Sequence, residues 1–440
     1  MIMKKLILVI LLTLAMAPSG FAADFYVTPP NGAKSLSGDG SRDHPFTALE
    51  AALQSGTIKP GDTVYLTGGE YGKGLIRNVH FSAPVTIRPM EGKKAHFEFL
   101  VVYQKSRNLH IQGLGVWPSS FPVKRQLLVE TGYDTSDIVF SDLDLRGGVD
   151  AGTYPGWGKP EWENRKVNGI MLRGPRGKIL DSQFTGLDFA ISTLADDAVV
   201  TGNIITGFSG DGIRSLGDRS VIRNNLIRDC IAMDQNHDDG IQSWSGGPKP
   251  GTGNLDRLTI EANIILEWTG PKDHPLRCVL QGIGLFDGTF SNLLIRNNLV
   301  VVSAYHGISV YGANRATISN NTVIHPLLPS GNRPWIMVNK RGNGTLSRDV
   351  TVANNLAMHY ILSDIEGLFI NRRNQVISYP ARLFANPAAG DYRPIAGGPL
   401  SGAADPRYAP PTDLLGIARP LGSGPTLGAF EVDTKAISGE

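Results

Sequence analysis

The sequence predicts an all-β solenoid: one chain wound into a parallel β-helix of about nine or more coils, closed at its N-terminal end by a short helix. Three observations predict it. A strand-like segment recurs along the chain, an asparagine holds one place in successive copies, and a second short strand opening on Gly-Ile follows most copies. Composition agrees: 52 glycines and 8% aromatic residues suit tight turns and short strands, and 3.6-residue periodicity is missing. The general crossover preference makes the expected hand right-handed.

Taken in order, the chain opens with an export signal. Lys4 and Lys5 form a basic start, Leu6 to Ala17 an apolar run, and Gly20-Phe21-Ala22 a small-residue cleavage site. The run is too short to span a bilayer. Residues 1–22 are therefore expected to be removed, leaving a monomer without a membrane anchor in the periplasm or outside the cell. Losing Lys4 and Lys5 takes the formal charge from +2 to about 0. A neutral surface of mixed sign argues against nucleic acid as a partner.

The solenoid is expected over residues 23–383. HPFTALEAALQSG (44–56) reads as the capping helix and PGDTVYLTGGEY (60–71) as turn, strand, turn, the first coil. The repeat then runs from LHIQGLGV (109–116) and DIVFSDLDL (137–145) to RATISNNTVI (315–324) and DVTVANNLAM (349–358). Each copy reads apolar-x-apolar, a bend, then apolar again. Asn203, Asn225, Asn263, Asn298, Asn321 and Asn355 occupy the bend. There an Asn can bond both the backbone and the Asn one rung away. The Gly-Ile strands are NGIML (168–172), DGIRS (211–215), DGIQS (239–243), QGIGL (281–285) and HGISV (306–310), with WIMVN (335–339) in the same place. The ladder is expected to fade after about residue 360. Residues 384–440, rich in Pro and Gly, are expected to pack on or cap the solenoid, ending in a short strand at LGAFE (427–431).

Chemistry concentrates at NHDDGIQSW (236–244), where His237, Asp238 and Asp239 precede a Gly-Ile strand and Asp211 holds the matching place one rung earlier. Neighbouring strands lie about 4.8 Å apart, which puts Asp211 and Asp239 in one sugar-sized site. Paired carboxylates suit calcium, a hard cation, with Asp211, Asp238 and Asp239 as metal ligands and Gln242 as a further oxygen. Cleavage of a uronate polymer by elimination needs a cation and a base, for which His237, Arg214, Lys340, Arg341 and Tyr305 are candidates. Hydrolysis needs two carboxyl groups, which the same aspartates supply. The competing reading is structural: Asp-Gly makes the turn before a strand, and Lys340-Arg341 precedes a turn.

Insertions at 148–166, 267–280 and 325–334 interrupt the coil at one place, between the Asn strand and the Gly-Ile strand. They carry Tyr154, Trp157, Trp162, Trp268 and Trp335 among basic residues. With Gln242, Trp244, Tyr305 and Tyr311, the expected substrate-binding set includes Trp157 and Trp162 as flat platforms for an anionic sugar chain. The alternative is aromatic packing that pins the loops. Cys230 and Cys278 precede adjacent Gly-Ile rungs on the same side, where a disulfide is reasonable in an oxidising compartment.

The chain resembles the secreted pectin-lyase-like superfamily of right-handed β-helix proteins, on its repeats over roughly 60–360 and on an opening, FYVTPPNG with GDGSRDHPFTALEAAL and KPGDTVYLTGGEY, similar to that of secreted β-helix polysaccharide lyases. Such proteins mostly bind or cleave polysaccharides, acidic ones especially. The DDGWD-type and ADGF-type segments of calcium-dependent pectate lyases resemble His237-Asp238-Asp239-Gly240-Ile241-Gln242 and Gly210-Asp211-Gly212-Ile213. That resemblance implies calcium on Asp211, Asp238 and Asp239. Gln242 stands where the pattern has a further Asp, and Gly284 stands near the place of its lysine base. The NTD, DD, GHG and RIK blocks of polygalacturonases resemble Gly210-Asp211, Asp238-Asp239, Tyr305-His306-Gly307 and Lys340-Arg341. That mapping adds His306 to the catalytic candidates, although an extra coil at 281–301 puts it two rungs, roughly 10 Å, from Asp239. The expected function is a lyase on an acidic, uronate-containing polysaccharide. A polygalacturonase-like hydrolase, a uronate epimerase and a non-catalytic polysaccharide-binding protein are the alternatives.

Overall fold

A computed structural model describes residues 22–30, 37–326 and 331–433; the segments of the expected export signal before Ala22 lie outside the described residues. Through the middle of the chain each coil contributes three short strands, and strands of successive coils pair in parallel to form three columns. The first column holds the strand before each ladder Asn, such as Val221–Arg223. The second holds the strand after it, such as Leu226–Cys230. The third holds the Gly-Ile strand, such as Asp239–Trp244. The second and third columns merge into one 21-stranded sheet through the long strands Gly69–Arg77 and Ala95–Tyr103. The result is the parallel β-helix that the repeats predict, right-handed as the crossover preference leads one to expect.

Register explains the core. Ile222 pairs Ile260 in the first column, Ile227 pairs Ile265 in the second, and Ile213 pairs Ile241 in the third. All six are fully buried, so one stack of β-branched side chains fills each inner face. Each such side chain contributes about 1.5–3 kcal/mol on leaving water.

The bend between the first two columns is held by the Asn ladder. Asn263 Oδ1 accepts from the N–H (3.1 Å) and Nδ2 (2.9 Å) of Asn225, while its own Nδ2 donates to the Ile222 carbonyl (2.9 Å) and to Asn298 Oδ1 (3.1 Å). The pattern repeats along the axis and continues one step past Asn355 to Asn374. The residue before each ladder Asn takes a left-handed conformation, with φ of 55° at Asn224 and 56° at Asn297. This accounts for the Asn-Asn doublets: one Asn tolerates the turn and the next enters the ladder.

Both ends depart from expectation. The first rung is Asp24–Val27, paired with Thr63–Leu66, so the coil expected first is the second. The capping helix is present as Leu49–Gln54, with Ala52 and Leu53 buried and Glu50 paired to Arg77 at 2.6 Å. The ladder runs beyond residue 360 through Ile365–Arg372 and Gln375–Val376. LGAFE is not a strand. Its backbone is tied at separate points, Gly428 N–H to the Asn354 carbonyl and Ala429 N–H to Thr322 Oγ1. The C-terminal segment packs along the side of the solenoid. Phe384, Tyr392, Leu400, Leu427 and Phe430 cover Leu299, Val301, Ile324 and Leu356, the outward residues of the second column.

Candidate functional site

The insertions converge on the corner between the second and third columns, and the polar column at this corner is the candidate site. Ile191, Ile213, Ile241, Ile283 and Ile308 pair in register. The residues two places before them therefore stack rung on rung: Phe189, Asp211, Asp239, Gln281 and His306. Asp211 and Asp239 are adjacent, as the spacing predicts, and His306 is two rungs beyond with Gln281 between.

Asp211 is fully buried and satisfied on both oxygens. It accepts from the Asp239 N–H at 2.9 Å and from Arg214 Nε at 2.5 Å. The Arg214 guanidinium lies 3.6 Å over the Phe189 ring. Burial raises the Asp211 carboxyl above its ordinary value, against the pull of Arg214. Asp239 is also fully buried. Its Oδ2 lies 3.2 Å from His237 Nδ1 and accepts from Gln242 Nε2 at 3.1 Å, while its Oδ1 has no partner. Burial pushes this carboxyl up to about 7, the His237 contact opposing and the Asp211 charge adding. Asp238 faces the other way, towards the Cys230–Cys278 disulfide, with Asn236 donating at 3.3 Å. Burial and then the Asp211 charge push it up to about 8.

Two histidines flank this core on the outward face. His237 is 57% exposed and is raised above its ordinary value, chiefly by its bond to Asp239. Burial, followed by the charge of His237, lowers His306 to about 4. Its Nδ1 lies 2.8 Å from Ser309 Oγ, which also accepts from Trp335 Nε1 at 3.0 Å. The Phe286 ring stands between them, 5.9 Å from His237 and 5.4 Å from His306. Tyr305, 46% exposed, rests against both His306 and Trp335, and Tyr311 lies 6.0 Å from Phe286. The face thus joins an imidazole raised above its ordinary value, one lowered to about 4 and several aromatic surfaces.

Other expected residues lie elsewhere. Lys340 sits 3.5 Å from Asp364, and Arg341 donates to Thr289 Oγ1 and the Gly251 carbonyl. Neither joins the aspartates, because both follow the end of their strand and turn away from it. Trp157 and Trp162 are buried, their rings 5.0 Å apart in a satellite core with Tyr154 and Met233. They pin the loops and offer no free face to a sugar. Gln242, Trp244, Tyr305 and Tyr311 keep places on the outward face. Phe189, Gln281 and Phe286 were not expected, yet lining up the isoleucines of successive Gly-Ile strands would have found the first two.

The expected calcium ligands do not fit one cation. Asp211 is neutralised by Arg214, Asp239 Oδ2 is engaged by His237 and Gln242, and Asp238 turns towards the disulfide. Among the described residues, the one convergent group of candidate ligand atoms is Cys230, Asp238 and Cys278, and its two sulfurs are bonded to each other.

A family model described as a right-handed β-helix region matches residues 168–357. No curated protein matches the sequence. Among solved structures, pectate lyase Pel9A is similar at 14% identity and TM-score 0.46 over 93% of this chain and 96% of that one. A rhamnogalacturonan lyase is similar at 13% identity and TM-score 0.47 over 83% and 91%. The Dettilon tailspike protein is similar at 14% identity and TM-score 0.51, over 77% of this chain and 64% of the tailspike. In its fold, the chain is a right-handed parallel β-helix.

Proposed function

We propose that the protein is an exported lyase that cleaves a uronate-containing polysaccharide by β-elimination on the outward face around Phe286. The observation that carries this reading is the pair of unlike histidines on either side of that ring. Elimination removes the proton on the carbon next to the uronate carboxylate, breaks the bond to the glycosidic oxygen on the following carbon, and leaves a double bond in the sugar. The base must be neutral and the carboxylate must be neutralised. His306, held low, is neutral; with Nδ1–H donating to Ser309 Oγ, its Nε2 takes the proton. His237, raised above its ordinary value by its bond to Asp239, faces the carboxylate. Tyr305, exposed beside His306, protonates the departing oxygen. Asp211 and Arg214 fix Asp239 from below. No step requires a cation on the aspartates. The disulfide suits an oxidising compartment. No helix among the described residues is long and apolar enough to cross a membrane.

The test is absorbance near 235 nm while the protein, with calcium or with a chelator, meets pectate, alginate, glycosaminoglycan and bacterial exopolysaccharides. A rise that persists in chelator and disappears in His306→Gln supports the reading. New reducing ends without absorbance would replace it with hydrolysis by the carboxyl groups. Binding with neither signal would make the protein a polysaccharide-binding module.

A further inference from the structure

In a cleft away from the Phe286 face, the charged side chains among the described lining residues are cationic. The cleft lies between residues 331–333, with His325, and the C-terminal segment. A cavity of about 670 Å³ is walled by Arg333, Arg382, Tyr379, Asn332 and Ser378. A second, of about 300 Å³, shares His325, Pro380 and Ala381 with it and adds Lys272. Among the described residues, neither wall contains an aspartate or glutamate. Arginines on the other insertions are neutralised: Arg165 pairs with Asp150, and Arg277 with Glu267. Tyr379 is 67% exposed, and the Arg382 guanidinium lies 5.1 Å from its ring centre. That leaves a flat aromatic surface beside a cation and near two further polar side chains.

We infer that this cleft is a second binding site for an acidic polysaccharide, taking the carboxylate-bearing sugar units of a chain outside the reacting segment. The inference rests on the acidic-polysaccharide reading above. Cations spread over two joined cavities suit a linear polyanion better than one small anion, and a guanidinium matches a carboxylate in bidentate geometry. Tyr379 offers the apolar face of a sugar ring a surface to stack on. The chain that carries Arg333 places Trp335 beside His306 two residues later.

The test is calorimetric titration of the full-length His306→Gln protein with galacturonate and alginate hexamers, with a neutral cello-oligosaccharide as control. The expected result is salt-sensitive binding of at least one acidic hexamer. In the Arg333→Gln, Arg382→Gln variant it should weaken at least about tenfold with a shallower salt dependence. Arg382→Glu should weaken it further, with thermal unfolding unchanged in both variants. Unaltered affinity and salt slope would overturn the second site while leaving the lyase reading intact if wild-type protein still cleaves. Absence of binding and cleavage with every acidic polymer would overturn both. Inorganic phosphate competing as strongly as the hexamers do would reduce the cleft to a simple anion site and overturn the inference.

Discussion

Two corners of the same coil carry a column of polar side chains, and they are built in opposite ways. At the corner between the first and second columns the residue is asparagine rung after rung, and each carboxamide meets the next with the same bonds. At the corner between the second and third columns the stack reads Phe189, Asp211, Asp239, Gln281, His306. Here neighbours differ, Asp239 Oδ1 and Gln281 Oε1 lack partners, and two carboxyls are pushed towards or past neutrality. A uniform column satisfies its buried groups and stabilises the fold. A mixed column leaves groups whose charge is decided by burial and neighbours, which is what acid–base chemistry uses. The same stacking geometry serves either end, and residue identity chooses between them.

Breaking one corner should therefore leave the other standing. The largest effect is expected from His306→Gln. It should lower turnover on the cleaved polymer about 100- to 10,000-fold, with urea unfolding unchanged. A comparable loss of stability would assign His306 to the scaffold. Next comes Asn263→Ala, which strips the Asn225 N–H and the Ile222 carbonyl of their partners inside the core. It should cost about 3 kcal/mol or more in urea unfolding, while the substrate concentration at half-maximal rate stays the same.

Removing the disulfide by Cys230→Ser with Cys278→Ser opens a link between residues 48 apart in sequence. It should destabilise by about 3 kcal/mol and blur the loop that carries His237, so activity falls with stability. That is the one place where the two corners are expected to be coupled. The smallest effect is a change in pH dependence. Burial raises the Asp239 carboxyl from an ordinary 3.8 to about 7 in the folded chain. The folded state therefore holds its proton more tightly than the unfolded state does. This contribution is full below about pH 4 and is lost as pH rises to about 7. Asp239→Asn removes that loss and places an amide N–H₂ where the unpartnered oxygen stands. The variant should match wild type at pH 4 and be the more stable of the two at pH 8 in thermal unfolding, while losing activity. Equal stability curves at both values would mean that Asp239 is ionised without penalty.

The uniform corner was the legible one. Asn203, Asn225, Asn263, Asn298, Asn321 and Asn355 announce themselves by repetition, and the apolar alternation around them fixes the strands. The last coil was hidden because Ile365–Arg372 is largely exposed and shows no apolar alternation. The first was hidden because Asp24–Val27 meets its partner only across a long insertion. At the mixed corner the aspartates and His306 stood out as residue types, but their surroundings did not. Trp157 and Trp162 looked like platforms because tryptophan in an inserted loop is so often exposed. Their burial against each other depends on contacts that composition does not encode. Phe286 escaped notice because it reaches the site by folding over Gly284, whose missing side chain makes the room.

The Asn ladder also acts as a ruler for evolution. Asn203 and Asn225 are 22 residues apart yet occupy one position on successive rungs. Gaining or losing a whole coil thus leaves every bond type in the ladder intact while sliding whatever stands above it by about 4.8 Å along the axis. The rung that places Gln281 between Asp239 and His306 is one such graduation. In this architecture the spacing of reactive groups is adjusted by copying or deleting a coil, and the substrate repeat length can be matched without redesigning the core.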